Sequence, residues 1–99
     1  MDAFSVAASG LRSAELRLSA SAHNVANLTT PSFRPLRAEQ TSVEGGGSSV
    51  ELRQAASPQE VDLARELIQQ ILATSQFDAS LRVLAVATEM RGQLLDQLA

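Results

Sequence analysis

The chain has 99 residues and a net charge of −3, its eight basic residues are all arginine, and it contains no cysteine. A chain of this length forms one small domain with a marginal core, and the lack of cysteine excludes disulfides, thiol catalysis and thiolate metal sites. The apolar fraction of 44% comes mostly from alanine and leucine, which favours packed helices, while scattered arginines and short apolar runs argue against nucleic-acid binding and membrane insertion.

The first predicted element is an N-terminal helix over residues 3–28, with Asp2 as its cap. Apolar side chains recur along it at steps of three and four residues, with one interruption at Ser21. This pattern is typical of a helix that is buried along a seam against another helix. The seam positions are Phe4, Ala7, Leu11, Ala14, Leu18, Val25 and Leu28.

The middle segment, residues 29–57, contains Pro31 and Pro35, which exclude an ordinary helix. The run EGGGSS at 44–49 predicts a flexible tip that cannot pack a core of its own. Apolar and polar residues alternate weakly on both sides of this tip. The sequence therefore leaves two alternatives open for this segment, an irregular loop or a short β-hairpin.

A second helix is predicted over residues 58–98, and two adjacent apolar stripes run along it. The sequence SPQE at 57–60 offers Ser57 as the cap, Pro58 at the first helical position and Glu60 at the third. Because one partner helix cannot cover two stripes, the sequence predicts contacts with other chains. The first stripe holds Leu63, Leu67, Ile71, Leu81, Leu84 and Leu95, and the second holds Ile68, Leu72, Ala79, Val83, Val86, Met90 and Leu94.

These elements together predict an all-α fold in a single domain, residues 1–99. The N- and C-terminal helices are expected to form a long, antiparallel, coiled-coil-like helical hairpin. The irregular loop or short β-hairpin of the middle segment would join them.

No group of residues in the sequence indicates catalysis. His23 is the only histidine, so that a metal site or a Ser-His-Asp set lacks companions. Asp62 and Glu66 stand one turn apart, but both fall in the first turns of a helix, where the helix dipole favours carboxylates. We therefore predict no enzyme activity, no catalytic residue, no cofactor, no metal and no small-molecule substrate.

Several short motifs carry more information than helix capping. The sequences SGL at 9–11, NVAN at 24–27 and TTPSF at 29–33 resemble the N-terminal signature of the bacterial flagellar rod and hook axial proteins. The segment at 61–90, which begins VDLAREL, is similar to the C-terminal helix of that family. Ser32 stands where the family usually has glycine.

The resemblance implies a structural subunit of the bacterial flagellar basal-body rod, a minimal member similar to the small proximal-rod proteins. Such a subunit would assemble through its terminal helices with copies of itself and with other flagellar axial proteins. It would be located in the periplasmic rod, after export by the flagellar type III apparatus without a cleaved signal peptide. The alternative is a small helical adaptor or coiled-coil interaction protein that forms no shaft.

Three groups of residues follow from this interpretation. The helix exit and its loop to adjacent subunits are assigned to Asn24, Asn27, Thr30, Pro31 and Phe33. The start of the return helix is assigned to Val61, Asp62, Leu63 and Glu66. The helix–helix seam that carries assembly is assigned to Leu11, Leu18, Val25, Leu67, Ile71, Leu81 and Leu84.

Overall fold

The computed structural model describes residues 2–98, which form two helices and one small sheet. In chain order the elements are α1 (Ala3–Ala26), β1 (Leu36–Ser42), β2 (Ser48–Gln54) and α2 (Leu63–Leu98). The predicted all-α helical hairpin is therefore wrong, because residues 36–54 form a two-stranded antiparallel sheet and the fold is mixed α/β.

The strands pair in a register that places Leu36 opposite Gln54 and Ser42 opposite Ser48. Val43 closes the turn, because its N–H donates to Gly47 O and its carbonyl accepts from the Gly46 N–H, both at 3.0 Å. The three glycines 45–47 have φ values of 89°, 112° and 89°, a region that side chains with a Cβ rarely adopt. The EGGGSS run is thus a glycine turn, and its two serines already belong to β2.

Helix α1 begins at a cap that also ties the two helices together. The Ser5 N–H donates to Asp2 Oδ1 at 2.8 Å, and Arg91 near the end of α2 pairs with Asp2 Oδ2 at 2.9 Å. The hydrogen bond from Ser5, aided by the Arg91 charge, holds the pKa of Asp2 below its ordinary value. The Arg91 guanidinium also lies 4.6 Å from the centre of the Phe4 ring.

Helix α2 begins five residues later than predicted, and Asp62 is its cap. The Arg65 N–H donates to Asp62 Oδ1 at 3.2 Å, and the Glu66 N–H donates to Asp62 O at 3.0 Å. The capping box predicted at 57–60 is wrong because this segment makes a tertiary contact instead. Its Gln59 N–H donates to Phe33 O at 3.0 Å, which holds it against the loop that leaves α1.

The two helices pack antiparallel through small residues. Gly10 of α1 lies against Ser80 of α2, so close that a Cβ at position 10 would be 3.3 Å from Ser80 Cβ and nearer still to its hydroxyl. Within residues 2–98 the buried apolar residues are four alanines, at positions 7, 14, 20 and 73, and Pro35. Small side chains let the helix backbones approach closely, which is why the larger apolar residues end up outside this contact.

Most of α2 faces outward. Of its 36 residues only Glu66 and Ala73 are buried, although the helix carries many leucine, isoleucine and valine side chains. Within residues 2–98, neither helix combines the length and the apolar character that crossing a membrane requires.

The close approach at Gly10 predicts that two helical glycines respond oppositely to substitution. Gly10→Val should lower the free energy of unfolding by about 1–3 kcal/mol, because its side chain overpacks the contact with Ser80. Gly92→Ala should raise it by about 0.5–1 kcal/mol, because a Cβ at position 92 meets open space and alanine favours helix. Urea unfolding monitored by circular dichroism measures both, and a neutral Gly10→Val would contradict the packing.

Candidate functional site

Asn24 lies at the point where α1, β1 and α2 meet, with 1% of its surface exposed. Its Nδ2 donates to Leu36 O at 2.8 Å and to Glu66 Oε1 at 3.1 Å, and its Oδ1 accepts from the Leu36 N–H at 2.8 Å. The amide thereby bonds the backbone of Leu36 as a neighbouring strand would, and it holds the α2 carboxylate at the same time. We call this arrangement of Asn24, Leu36 and Glu66 the clasp.

Glu66 brings a carboxylate into the interior, with 5% of the residue exposed. The cap at Asp62 sets the start of α2 and so places Glu66 in its first turn. The Ser21 hydroxyl donates to Glu66 O at 3.0 Å, which adds a second bond between α1 and this turn. A buried carboxylate needs such partners, because desolvation without hydrogen bonds is strongly unfavourable.

A cavity of about 60 Å³ adjoins the clasp, and three arginines line it together with the clasp residues. This volume is far below that of typical small-molecule sites. Arg17 also spans the three elements nearby, since its Nη1 donates to Gln76 Oε1 at 2.6 Å and to Gln40 Oε1 at 3.2 Å. The polar centre of the molecule therefore connects secondary-structure elements.

The predicted loop residues surround the end of α1, with Asn24 as the exception that belongs to the clasp. The Asn27 side chain donates to His23 O at 2.9 Å, and the Thr30 hydroxyl donates to Asn27 Oδ1 at 3.0 Å. Asn27 ends the helix after Ala26, two residues earlier than predicted. The Phe33 ring lies 5.5 Å from the His23 ring, measured between centroids, and Pro31 is exposed in the turn between them.

The predicted start of the return helix is divided between different environments. Asp62 caps the helix and Glu66 is buried in the clasp, whereas Leu63 is exposed. Val61 is half-buried and lines an open groove with the loop that leaves α1.

The seven predicted seam residues lie beside the contact between α1 and α2. At 100° per residue the three on α1 fall on the side opposite the serines that hold the β-hairpin, and Leu67, Ile71 and Leu81 fall on one flank of α2. Leu18 of α1 lines one shallow groove there with Leu67 and Ile71 of α2, whose exposed fractions are 50% and 66%. We call this surface the seam face: Leu11, Leu18, Val25, Leu67, Ile71, Leu81 and Leu84. Leu11, Val25 and Leu84 are half-buried and the other four are exposed. The role of this face in assembly stays a prediction.

The second apolar stripe of α2 lies on the other flank of the helix, and its larger members are also exposed. The positions between the two stripes, which face α1, are polar or small: Gln69, Ala73, Gln76 and Ser80. Most large apolar residues of α2 thus lie on its two exposed flanks, while Phe77 and Leu84 are half-buried. The exposed members of the second stripe are Ile68, Leu72, Val83, Val86, Met90 and Leu94.

Serines that were not predicted as site residues anchor the hairpin to α1. The Ser48 N–H donates to Ser9 Oγ at 3.1 Å, and the hydroxyls of Ser13 and Ser48 are 2.8 Å apart. Ser9, Ser13, Ala20 and Asn24 recur at steps of four and seven residues. Small or polar residues repeated along one side of a helix indicate that another backbone approaches that side.

No group of three or more histidine, cysteine, aspartate or glutamate side chains in residues 2–98 is arranged to hold a metal ion. Among these described residues Glu66 has the buried carboxylate, and its Oε1 accepts a hydrogen bond from the side-chain amide of Asn24.

The clasp predicts a strong effect of the nearly isosteric change Asn24→Asp. Aspartate cannot donate to Leu36 O and would repel Glu66, so the free energy of unfolding should fall by about 2–4 kcal/mol. Adding Glu66→Gln should recover part of this loss, because glutamine can donate to the new carboxylate. Urea unfolding of the double-mutant cycle measures the coupling, and strictly additive losses would refute it.

Ser32 predicts a gain in stability on substitution by glycine. Its φ of 56° lies in the left-handed region, where a Cβ is unfavourable by about 1–2 kcal/mol. Ser32→Gly removes this strain and adds some chain entropy to the unfolded state, so the net gain should be at most about 1 kcal/mol. Thermal unfolding measures it. Ser32→Ala keeps the Cβ and serves as the comparison, with an unchanged melting temperature expected. A lower melting temperature for Ser32→Gly would show that the loop does not need the left-handed conformation.

No protein-family model matches this sequence, and no curated protein matches it closely enough to be identified as a relative. The motifs that resemble flagellar axial proteins therefore remain an interpretation of the residues.

Proposed function

We propose that the protein is a structural subunit that assembles with other chains through the exposed apolar sides of its helices, as a component of a flagellar basal-body rod. The observation that carries the proposal is the seam face. Exposed apolar patches of this kind mark interaction surfaces, because soluble monomers seldom leave contiguous leucine-rich helix faces in water.

The internal packing supports this function. The closest contacts between α1 and α2 are made by small residues, such as Gly10 and Ser80, while most of the leucines of the two helices are exposed. The clasp fixes one end of the pair, and the bond between Asp2 and Arg91 fixes the other. Each chain then presents a prearranged apolar surface, which lowers the entropy lost when a neighbour binds.

The flagellar assignment rests on the motif resemblance together with this architecture. Its motif residues occupy structural positions: Gly10 permits the close helix contact, Asn24 forms the clasp and Asn27 ends α1. Under this proposal the partners are copies of the chain and other axial rod proteins. Export through the flagellar type III apparatus and a place in the periplasmic rod belong to the same proposal, as does the expectation that the chain is not an enzyme.

Ile71→Asp tests the seam face directly. A charge at this exposed position leaves the fold intact but opposes burial against a neighbour, so association should weaken at least tenfold. Sedimentation velocity over a range of concentrations, alone and with purified proximal-rod proteins, measures this association.

Gln93→Asp is the matched control, because it adds the same charge at an exposed polar position of α2. It should associate as the unchanged chain does. If the unchanged chain forms species larger than dimers and Ile71→Asp abolishes them, the result supports a shaft subunit. A closed complex of fixed size that depends on Ile71 would favour the adaptor instead, and equal association of all three chains would refute the seam face.

A further inference from the structure

The solvent face of the β-hairpin contains an arrangement of charges that its own fold does not explain. The register places Arg37 directly opposite Arg53, and Glu39 directly opposite Glu51. Like charges opposite each other on neighbouring strands are unfavourable. The only relief within the hairpin comes from Arg53, whose Nε lies 3.4 Å from the carboxylates of both Glu39 and Glu51.

The outer edge of β2 carries backbone groups that no described residue bonds. The Val43 N–H donates to Gly47 O and the Ala55 N–H donates to Pro35 O, so the odd-numbered residues of both strands bond across the hairpin. The even-numbered residues therefore turn their N–H and C=O groups to the outer edges. On β1 the Asn24 side chain hydrogen-bonds both outward-facing backbone groups of Leu36. On β2 the Ser9 hydroxyl accepts from the N–H of Ser48.

From Val50 to Gln54 on β2, the outward-facing backbone groups have no hydrogen-bond partner among the described residues. Arg17 reaches the hairpin at Gln40 of β1 and makes no hydrogen bond to this stretch. Leu52, in the middle of the stretch, is 40% exposed. An edge with unbonded backbone groups and an exposed leucine is a template for another strand.

We infer that this edge pairs with the same edge of a second copy, to give a four-stranded antiparallel sheet across a twofold axis at Leu52. This register places Leu52 opposite its copy, and Val50 opposite Gln54 of the copy. Glu51 then stands opposite Arg53 of the copy, and Arg53 opposite Glu51 of the copy. Both charge pairs fall at non-hydrogen-bonded positions, where facing side chains are closest.

The sequence of charges along the β2 edge favours a second copy of this chain as the binding partner. In an isologous contact each surface must be complementary to itself, and the sequence Glu51-Leu52-Arg53 meets that condition about its central residue. The row of two glutamates on one chain continues into the row of two arginines on the other. The like-charge pairs that are unfavourable in one hairpin thus gain opposite charges beside them. This contact is separate from the seam face and does not depend on the flagellar assignment.

Charge reversal on the edge tests the contact, in chains that also carry Ile71→Asp so that the seam face does not contribute. Glu51→Arg places two arginines opposite two arginines, and Arg53→Glu places two glutamates opposite two glutamates. Each should raise the dimer Kd at least tenfold in sedimentation velocity from about 1 µM to about 1 mM. An equimolar mixture of the two variants should restore the dimer, because every facing pair is then opposite in charge.

Glu44→Arg is the matched control, since it makes the same charge change in the exposed turn, and its dimer should be unaffected. A second readout needs no charge reversal: the Leu52 amide should exchange with solvent rapidly at low protein concentration and slowly at high concentration. A chain that stays monomeric to about 1 mM with concentration-independent exchange at Leu52 would overturn the inference. Variants that dimerise normally, or a mixture that fails to restore a lost dimer, would do the same.

Discussion

The fold depends on one side chain, because the amide of Asn24 is where three elements are joined. An asparagine side chain carries a donor group and an acceptor, which is what a strand edge presents to its neighbour. By bonding both backbone groups of Leu36 it fixes where β1 begins relative to α1. By donating also to Glu66 it fixes where α2 begins. The buried apolar residues within 2–98 are four alanines and one proline, which are too small to specify these positions by their shape alone.

The clasp also explains how apolar residues are distributed. Small residues and hydrogen bonds settle the internal packing, so leucine and isoleucine are not required there. They lie instead along two outer sides of α2 and one outer side of α1. Hydrophobic burial, the largest favourable term in most folds, is thereby left available for contacts between chains. Such a distribution suits a component of an assembly, whose full stability is reached only beside its neighbours.

The sequence predicted the two helices because periodicity and end signals are local. Asp2 and Asn27 act at the ends of α1 within a few residues of their positions in the chain. The start of α2 was misplaced because Ser57 and Asp62 both offer caps, and the contact of Gln59 with Phe33 decides between them. Local sequence contains no information on such a contact.

The hairpin was less predictable because its strands alternate only weakly and are held by Ser9, Ser13 and Asn24 from a distant part of the chain. For the seam, the leucine pattern predicts apolar residues on a common face, but periodicity does not distinguish a partner helix in the same chain from one in another. Periodicity also could not predict that Glu66 is buried, since a glutamate in a first helical turn is usually solvated.

The way α1 holds the hairpin has an evolutionary consequence. Two of its anchors, at Leu36 and at Ser48, bind main-chain atoms, and main-chain atoms are the same whatever side chain is present. Residues between these points can therefore be replaced, and the strands or their turn can be lengthened, without altering the junction of the helices. The segment is a tolerant site for insertion, at which a small protein of this fold can acquire a larger domain while keeping its helix pair.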